Sequence, residues 1–98
     1  NKLEELRLKI DEVDNALLKK LAERIELVAE IGNYKKENDV AILQIERWQQ
    51  ILDSRENWGK LLDLHPEFVK LLLEVVHQES IKIQTAIMNN QVEVVDKK

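Results

Sequence analysis

Apolar residues recur along this chain at spacings of three and four, the period of one face of an α-helix. The first such stripe starts near Leu3 and meets no proline before residue 36, which predicts a helix over 3–36 of about 50 Å. The polar run Glu37-Asn38-Asp39 is the predicted break. The stripe consists of Leu6, Ile10, Val13, Leu17, Leu21, Val28 and Ile31.

Two further helices are predicted after this break. The second runs over 43–60, with Gly59 marking its end region. The third runs over 66–90, because Pro66 suits a first helical position and His65 suits a cap or a surface site. Residues 91–98 end in charges and are interpreted as a tail or the stub of a linker. The chain is therefore predicted to be all-α, one domain over 1–98 with three helices.

The unequal lengths of the three helices bear on assembly. Helices of about 18 and 25 residues span roughly 27 and 38 Å, too short to cover a first helix of about 50 Å in a simple bundle. A chain of 98 residues also buries only a modest share of its surface on its own. We therefore expect a two-fold homodimer in which the long helices pair antiparallel.

Composition and charge exclude several classes of protein. The net charge is −4 with both signs mixed along the chain, so there is no basic stripe of the kind that binds nucleic acid. No apolar run approaches the roughly 20 residues of a membrane span, and there is no apolar signal-peptide core. With no cysteine, the chain neither needs an oxidising compartment nor excludes one, and the cytoplasm is the default expectation. A start at Asn1 instead of Met indicates a segment of a longer protein.

Cations on the first helix suggest an anion site. Arg24 and Lys35 are eleven residues apart, so they point in nearly the same direction about 16 Å apart along the axis. Arg7 lies about 25 Å before Arg24 on the same rigid helix, too far for both to hold one small ligand. In an antiparallel dimer, however, Arg7 of one chain would approach Arg24 and Lys35 of the other. The prediction is a composite site.

Polar residues on the other two helices extend this site. Gln44, Arg47 and Trp48 share one face at i, i+3 and i+4, and Ser80 and Gln84 share another at i and i+4. Together these side chains would form a small cationic pocket in an acidic protein. Taken singly, each arginine would be interpreted as solvated or ion-paired, Trp48 as a core aromatic, and Ser80 as bonding back to the preceding turn; His77 would be structural.

Five short motifs in register over the three helices resemble a known family. They are Leu6-Arg7-x-x-Ile10-x-x-x-Asp14, Leu21-Ala22-Glu23-Arg24, Gly32-x-x-Lys35, Ile45-x-Arg47 and Glu79-Ser80-x-x-x-Gln84. The set resembles the all-helical class of chorismate mutase from Leu3 to about Asn90 without a gap. The finer pattern Gln44-x-x-Arg47-Trp48-x-x-Ile51-Leu52, with His77-x-Glu79-Ser80, is similar to mutase domains fused behind a 3-deoxy-7-phosphoheptulonate synthase in some bacteria.

The resemblance implies an intertwined helical homodimer with two shared sites, each rearranging chorismate to prephenate without a metal, cofactor or nucleophile. By the family's pattern, Arg24 and the partner's Arg7 would bind the carboxylate of the enolpyruvyl arm. Lys35 and Gln84 would donate to the ether oxygen. The remaining predicted substrate-binding residues are Arg47 at the ring carboxylate side, Gln44, Ser80 and Trp48.

Two positions depart from the family's commonest pattern. Gln44 stands where many members carry an aspartate, and it can still donate and accept hydrogen bonds. Trp48 stands where many carry a glutamate that binds the ring hydroxyl, and an indole cannot accept such a bond. The expectation is therefore a narrowed or reshaped pocket.

Three alternatives use the same features. The chain could be a regulatory module whose pocket binds prephenate or chorismate to control a fused synthase. It could be an isochorismate-pyruvate lyase, which shares the fold and the cationic pocket. A plain helical interaction module is the third, and it predicts no protection from unfolding by a dianion.

Overall fold

Three α-helices make up the computed structural model, which describes residues 1–90 and contains no strand over that range. Helix α1 spans Lys2–Glu37, α2 spans Ile45–Leu61 and α3 spans Pro66–Met88. The predicted all-α fold with three helices is confirmed. The tail predicted over 91–98 lies outside the described residues.

Local side-chain chemistry sets the helix ends. Asn1 caps α1 through a reciprocal capping box with Glu4, and the helix stops at the predicted polar break, where Asp39 has a φ of 56°. His65 caps α3, since its Nδ1 accepts a hydrogen bond of 3.2 Å from the backbone N–H of Glu67. Pro66 occupies the first helical position, where it has no N–H to leave unpaired.

Helix α3 is the centre of the fold. It packs against both α1 and α2, whereas within residues 1–90 no close backbone contact joins α1 to α2. The two outer helices therefore stand apart, with a space between them above α3. The buried interior is small: Val28 on α1 and Val69 on α3 are the buried apolar residues of the described chain, and Gln84 on α3 is the buried polar one.

The two glycines allow α3 to come close. A Cβ on Gly59 would lie 2.8 Å from Cγ2 of Val69, and a Cβ on Gly32 would lie 3.1 Å from Cγ of Gln84. Gly59 lies in the last turn of α2, the end region that the sequence predicted, and it has no positive φ. Asp63, with a φ of 61°, takes the left-handed position beyond the helix end.

The first half of α1 projects away from the rest of the chain. Every residue from 1 to 20 is exposed, including the first four members of the predicted apolar stripe. Leu17, for example, exposes 53% of its surface. Further along the stripe, Leu21 is half-buried, Val28 is buried and Ile31 is exposed. Exposed apolar side chains also line the start of α3: Phe68, Leu71, Leu72 and Val75. None of the three described helices is both long enough and apolar enough to pass through a lipid bilayer.

Candidate active site

A cleft of about 900 Å³ opens between α1 and α2, with α3 beneath it. Of the eight residues that the sequence analysis selected for a site, seven line this one cleft. They are Arg24 and Lys35 on α1; Gln44, Arg47 and Trp48 at the start of α2; and Ser80 and Gln84 on α3. The structure thus brings together polar residues that lie up to sixty positions apart in the chain.

Lys35 and Gln84 are joined by a hydrogen bond, and each also bonds to a backbone carbonyl. The Lys35 ammonium donates to Oε1 of Gln84 at 3.2 Å and to the carbonyl of Ile42 at 2.7 Å. Gln84 is only 6% exposed, and its Nε2 donates to the carbonyl of Val28 at 3.0 Å. Since an ammonium can only donate and a carbonyl can only accept, the amide has one allowed orientation. Nε2 keeps a second N–H beyond its bond to Val28.

A hydrogen bond from α1 to α3 fixes the position of Arg24. Its Nη1 donates to Oγ of Ser80 at 2.9 Å, and that hydroxyl donates in turn to the carbonyl of Val76 at 2.9 Å. Ser80 therefore makes the bond to the preceding turn that the sequence analysis considered, and it also orients a cation of the cleft. An arginine has five donors, so most of those on Arg24 stay available for a ligand.

The cations of the cleft lack carboxylate partners. Over residues 1–90 the ion pairs are those of the Asn1 amino group with Glu4 and of Lys20 with Glu23, both on the exposed part of α1. Neither involves Arg24, Lys35 or Arg47. Burial lowers the pKa of the Lys35 ammonium, which means that its charge is held in a partly desolvated place. Cations arranged in this way are typical of an anion-binding site.

An aromatic pair that the sequence analysis did not predict joins α2 to α3. The rings of Trp48 and His77 stack with their centroids 3.8 Å apart and their planes 15° from parallel. Burial, and then the charge of Arg24, lowers the pKa of His77. The signal for this residue was its spacing, because His77, Ser80 and Gln84 follow at i, i+3 and i+7 on one face.

Arg55 is a further cation close to this site. Burial lowers the pKa of Arg55, and so do the charges of Arg47 and Arg24, so each of these two guanidinium groups is near enough to repel that of Arg55. Its guanidinium lies 4.5 Å from the ring centroid of Trp58 and donates to Oγ of Ser54 at 3.0 Å. Arg55 is not among the site residues predicted from the sequence, although it follows Arg47 by two helical turns.

Arg7 is the selected residue that the structure keeps apart. It lies on the exposed first half of α1 and does not line the cleft of its own chain. About 25 Å of rigid helix separates it from Arg24. Arg7 can therefore reach such a cleft only in another copy of the chain.

Comparison with known proteins decides the family. The sequence model described as chorismate mutase type II matches residues 6–85, which is most of the chain. The chain belongs to the chorismate mutase type II family. The resemblance found from the motifs is thereby confirmed at the level of the family, and with it the prediction of a chorismate mutase domain.

Individual relatives agree with this assignment. The chain is 41% identical over 75 residues to a T-protein of Enterobacter agglomerans, covering 76% of this chain and 20% of that protein. It is 34% identical over 88 residues to the bifunctional chorismate mutase/prephenate dehydratase of Buchnera aphidicola from Acyrthosiphon pisum, covering 90% and 23%. A 4-amino-4-deoxychorismate mutase of Streptomyces pristinaespiralis is 26% identical over 82 residues, covering 84% and 64%.

These relatives also limit what the comparison shows. The chain spans about a fifth of the length of the T-protein and of the bifunctional enzyme. The name of the bifunctional relative pairs the mutase with a prephenate dehydratase, not with a synthase. The finer resemblance to mutase domains fused to a 3-deoxy-7-phosphoheptulonate synthase therefore gains no support from them.

Proposed function

We propose that this domain is a chorismate mutase that rearranges chorismate to prephenate. The observation that carries the proposal is the set of cations around one cleft, Arg24, Lys35 and Arg47, none of which pairs with a carboxylate in residues 1–90. Such a concentration of positive charge in a chain of net charge −4 favours an anionic ligand. The two carboxylates of chorismate supply that charge.

The reaction requires a folded substrate and stabilisation of developing charge. One C–O bond breaks while one C–C bond forms, so no proton has to be transferred and no nucleophile is needed. Cations at separate points of the cleft hold the two carboxylates, which restrains the flexible substrate in the reactive conformer. Arg24 would bind the carboxylate of the enolpyruvyl arm, and Arg47 the one on the ring.

Lys35 and Gln84 are suited to stabilise the transition state. Negative charge grows on the ether oxygen as the C–O bond breaks, and donors aimed at that oxygen act more strongly there than on the substrate. The Lys35 ammonium and the second N–H of Gln84 belong to one hydrogen-bonded pair, so both donors come from the same side of the cleft. Hydrogen bonds to other protein groups hold both side chains in place, so little reorganisation is needed during the reaction.

The remaining predicted contacts complete the substrate site. Ser80 orients Arg24 through a 2.9 Å hydrogen bond and can also contact a carboxylate itself. Gln44 precedes α2 and can donate or accept at the substrate's ring. Trp48 offers the ring a flat apolar surface in place of an acceptor for its hydroxyl.

We further infer that the active form is a homodimer with two composite sites. The exposed half of α1, residues 1–20, carries an apolar stripe that a second α1 running antiparallel would cover. That pairing would carry Arg7 toward the cleft of the other chain, where it would join Arg24 at one carboxylate. The exposed apolar side chains at the start of α3 offer further surface for the same partner, and these are Phe68, Leu71, Leu72 and Val75.

The mutase domain is proposed to extend over residues 1–98 as a single unit, acting in the cytoplasm as one part of a longer polypeptide. A fused 3-deoxy-7-phosphoheptulonate synthase is the partner that the finer motif pattern favours. The coding sequence before Asn1 tests this: a synthase reading frame supports the fusion, and any other domain or a start codon there contradicts it.

Turnover of chorismate tests the proposed activity. Loss of chorismate absorbance, with prephenate as the product, is expected for the purified domain and should be at least tenfold slower in Lys35→Ala. Lys60→Ala is the matched control, since Lys60 is an exposed lysine of α2 outside the cleft. Saturable binding of prephenate without turnover would instead support the regulatory module. Release of pyruvate from isochorismate with no action on chorismate would support the lyase.

A further inference from the structure

The stack of Trp48 on His77 is the one aromatic contact between α2 and α3 in the described residues. A centroid distance of 3.8 Å with nearly parallel planes is close contact over the ring faces. Both residues line the cleft, so the stacked pair forms part of its wall. Trp48 lies in the first turn of α2, directly after the segment that connects α1 to α2. Its indole therefore depends on α3 for a fixed orientation.

His77 contributes to this wall through its ring face. Over residues 1–90 its imidazole makes no hydrogen bond to another protein group, so neither ring nitrogen has a structural partner. Four other charged side chains line the cleft: Arg24 and Lys35 from α1, and Glu46 and Arg47 from α2. His77 is the one ionisable side chain that α3 adds to the cleft lining within the described residues. Burial and Arg24 lower the pKa of His77, so the imidazole is neutral at neutral pH.

We propose that His77 is a positioning residue that holds the Trp48 indole as a flat, uncharged wall of the cleft and thereby sets the space available to the substrate's ring. This inference rests on the proposed mutase function. The cations attract the two carboxylates, but charge alone does not define how the ring lies between them. A fixed aromatic wall that packs against the face of the substrate's ring restricts the ring to one orientation in the cleft.

Loss of the stack should therefore affect substrate binding more than chemistry. Without the imidazole, the indole can rotate about its side-chain bonds and either block the cleft or leave it wider. The ring contact is made equally in the bound substrate and in the transition state, and loss of such a contact raises KM with little change in kcat. Removal of Lys35 should act in the opposite way, because its bond to the ether oxygen strengthens in the transition state.

The kinetic test uses a Trp58→Phe parent, in which Trp48 is the sole tryptophan. We expect His77→Ala to raise KM for chorismate by about two- to tenfold, the range open to an aromatic pair, with kcat within about twofold. His77→Phe keeps a flat ring and should retain KM within about twofold of the parent. In a Trp48→Ala background, His77→Ala should have no further effect on KM, because its partner is already gone.

Fluorescence of Trp48 provides a test that does not need turnover. A protonated imidazole in contact with the indole should quench its emission, so the signal should titrate with a midpoint below the ordinary histidine value of about 6.5. The titration should be absent in His77→Phe. Saturating prephenate should raise the midpoint, because a dianion beside His77 favours the charged imidazole.

Several results would overturn the inference. His77→Phe that matches His77→Ala in KM would mean that the nitrogens, not the stacked ring, matter. A KM that His77→Ala leaves unchanged, or a Trp48 signal with no histidine titration, would show that the stack positions nothing. If His77→Ala fails to fold, His77→Phe and the fluorescence titration still decide. A parent that binds prephenate but does not convert chorismate refutes the mutase, while the Trp48 titration continues to test the wall.

Discussion

Replacement of Gly32 by alanine should reduce turnover without unfolding the protein. The new Cβ would lie 3.1 Å from Cγ of Gln84 and 3.1 Å from Cδ1 of Ile87. The end of Ile87 can rotate away, but Gln84 is buried and bonded at both ends of its amide, to Lys35 and to the Val28 carbonyl. The strain therefore falls on the bond between Lys35 and Gln84.

The expected magnitudes follow from these contacts. A hydrogen bond to a charged group contributes about 1.5–3 kcal/mol, so misaligning the Lys35 to Gln84 pair should lower kcat by about ten- to a hundredfold. Alanine is also a better helix former than glycine by about 0.5–1 kcal/mol. That gain opposes an overpacking cost of about 1–3 kcal/mol, so the free energy of unfolding should fall by no more than about 2.5 kcal/mol.

Gly59→Ala is the matched control, because its new Cβ crowds α3 at a point that lies outside the cleft. Its Cβ would lie 2.8 Å from Cγ2 of Val69, which is buried and branched at Cβ and cannot easily move. We expect a loss of about 1–3 kcal/mol and a fall in Tm of the order of 10 °C, with kcat unchanged below the transition. Steady-state kinetics and thermal melts of both variants check this. Full kcat in Gly32→Ala, or an equal loss of kcat in Gly59→Ala, would refute the reasoning.

Three further predictions concern the charges of the cleft. Lys35→Ala should lower kcat more than Arg47→Ala does, while Arg47→Ala should mainly raise KM; steady-state kinetics that show the reverse order would contradict the assigned roles. The rate should be nearly constant between pH 6 and 8, because the Gln84 amide does not ionise. Activity should then fall as the pH rises through the Lys35 pKa, which burial places below the free value of about 10.4, so a steep loss between pH 6 and 8 would argue against this pair. Arg55→Ala should raise KM a few-fold at low salt, with the difference shrinking in high salt because its action is electrostatic; a salt-independent effect would point to packing.

The sequence was sufficient to predict the three helices and seven of the polar or aromatic side chains that line the cleft. Helical spacing places Ser80 beside Gln84 and Gln44 beside Arg47, and the breaks near Asn38 and Pro66 set where the helices end and begin. Each observed helix bound lies within two residues of its predicted position. These features are local, so spacing and capping chemistry determine them.

Contacts between helices were the part that spacing could not supply. The stack of Trp48 on His77 depends on how α2 is rotated against α3, and one sequence does not give that angle. Gly59 was interpreted as a mark of the end of α2, whereas its close contact with α3 depends on Val69, ten residues further on. The repulsion between Arg24 on α1 and Arg55 on α2 likewise arises only once the helices are placed together.

Mixing two inactive variants tests the composite site most directly. If Arg7 of one chain serves the cleft that holds Arg24 of the other, Arg7→Ala and Arg24→Ala are each nearly inactive as homodimers. In a dimer that combines them, one of the two sites regains both arginines and the other has neither. After subunit exchange at equal concentrations, half of the dimers are mixed, so turnover should recover to about a quarter of the wild-type rate. No recovery after verified exchange, or full activity of a monomer, would contradict the shared site.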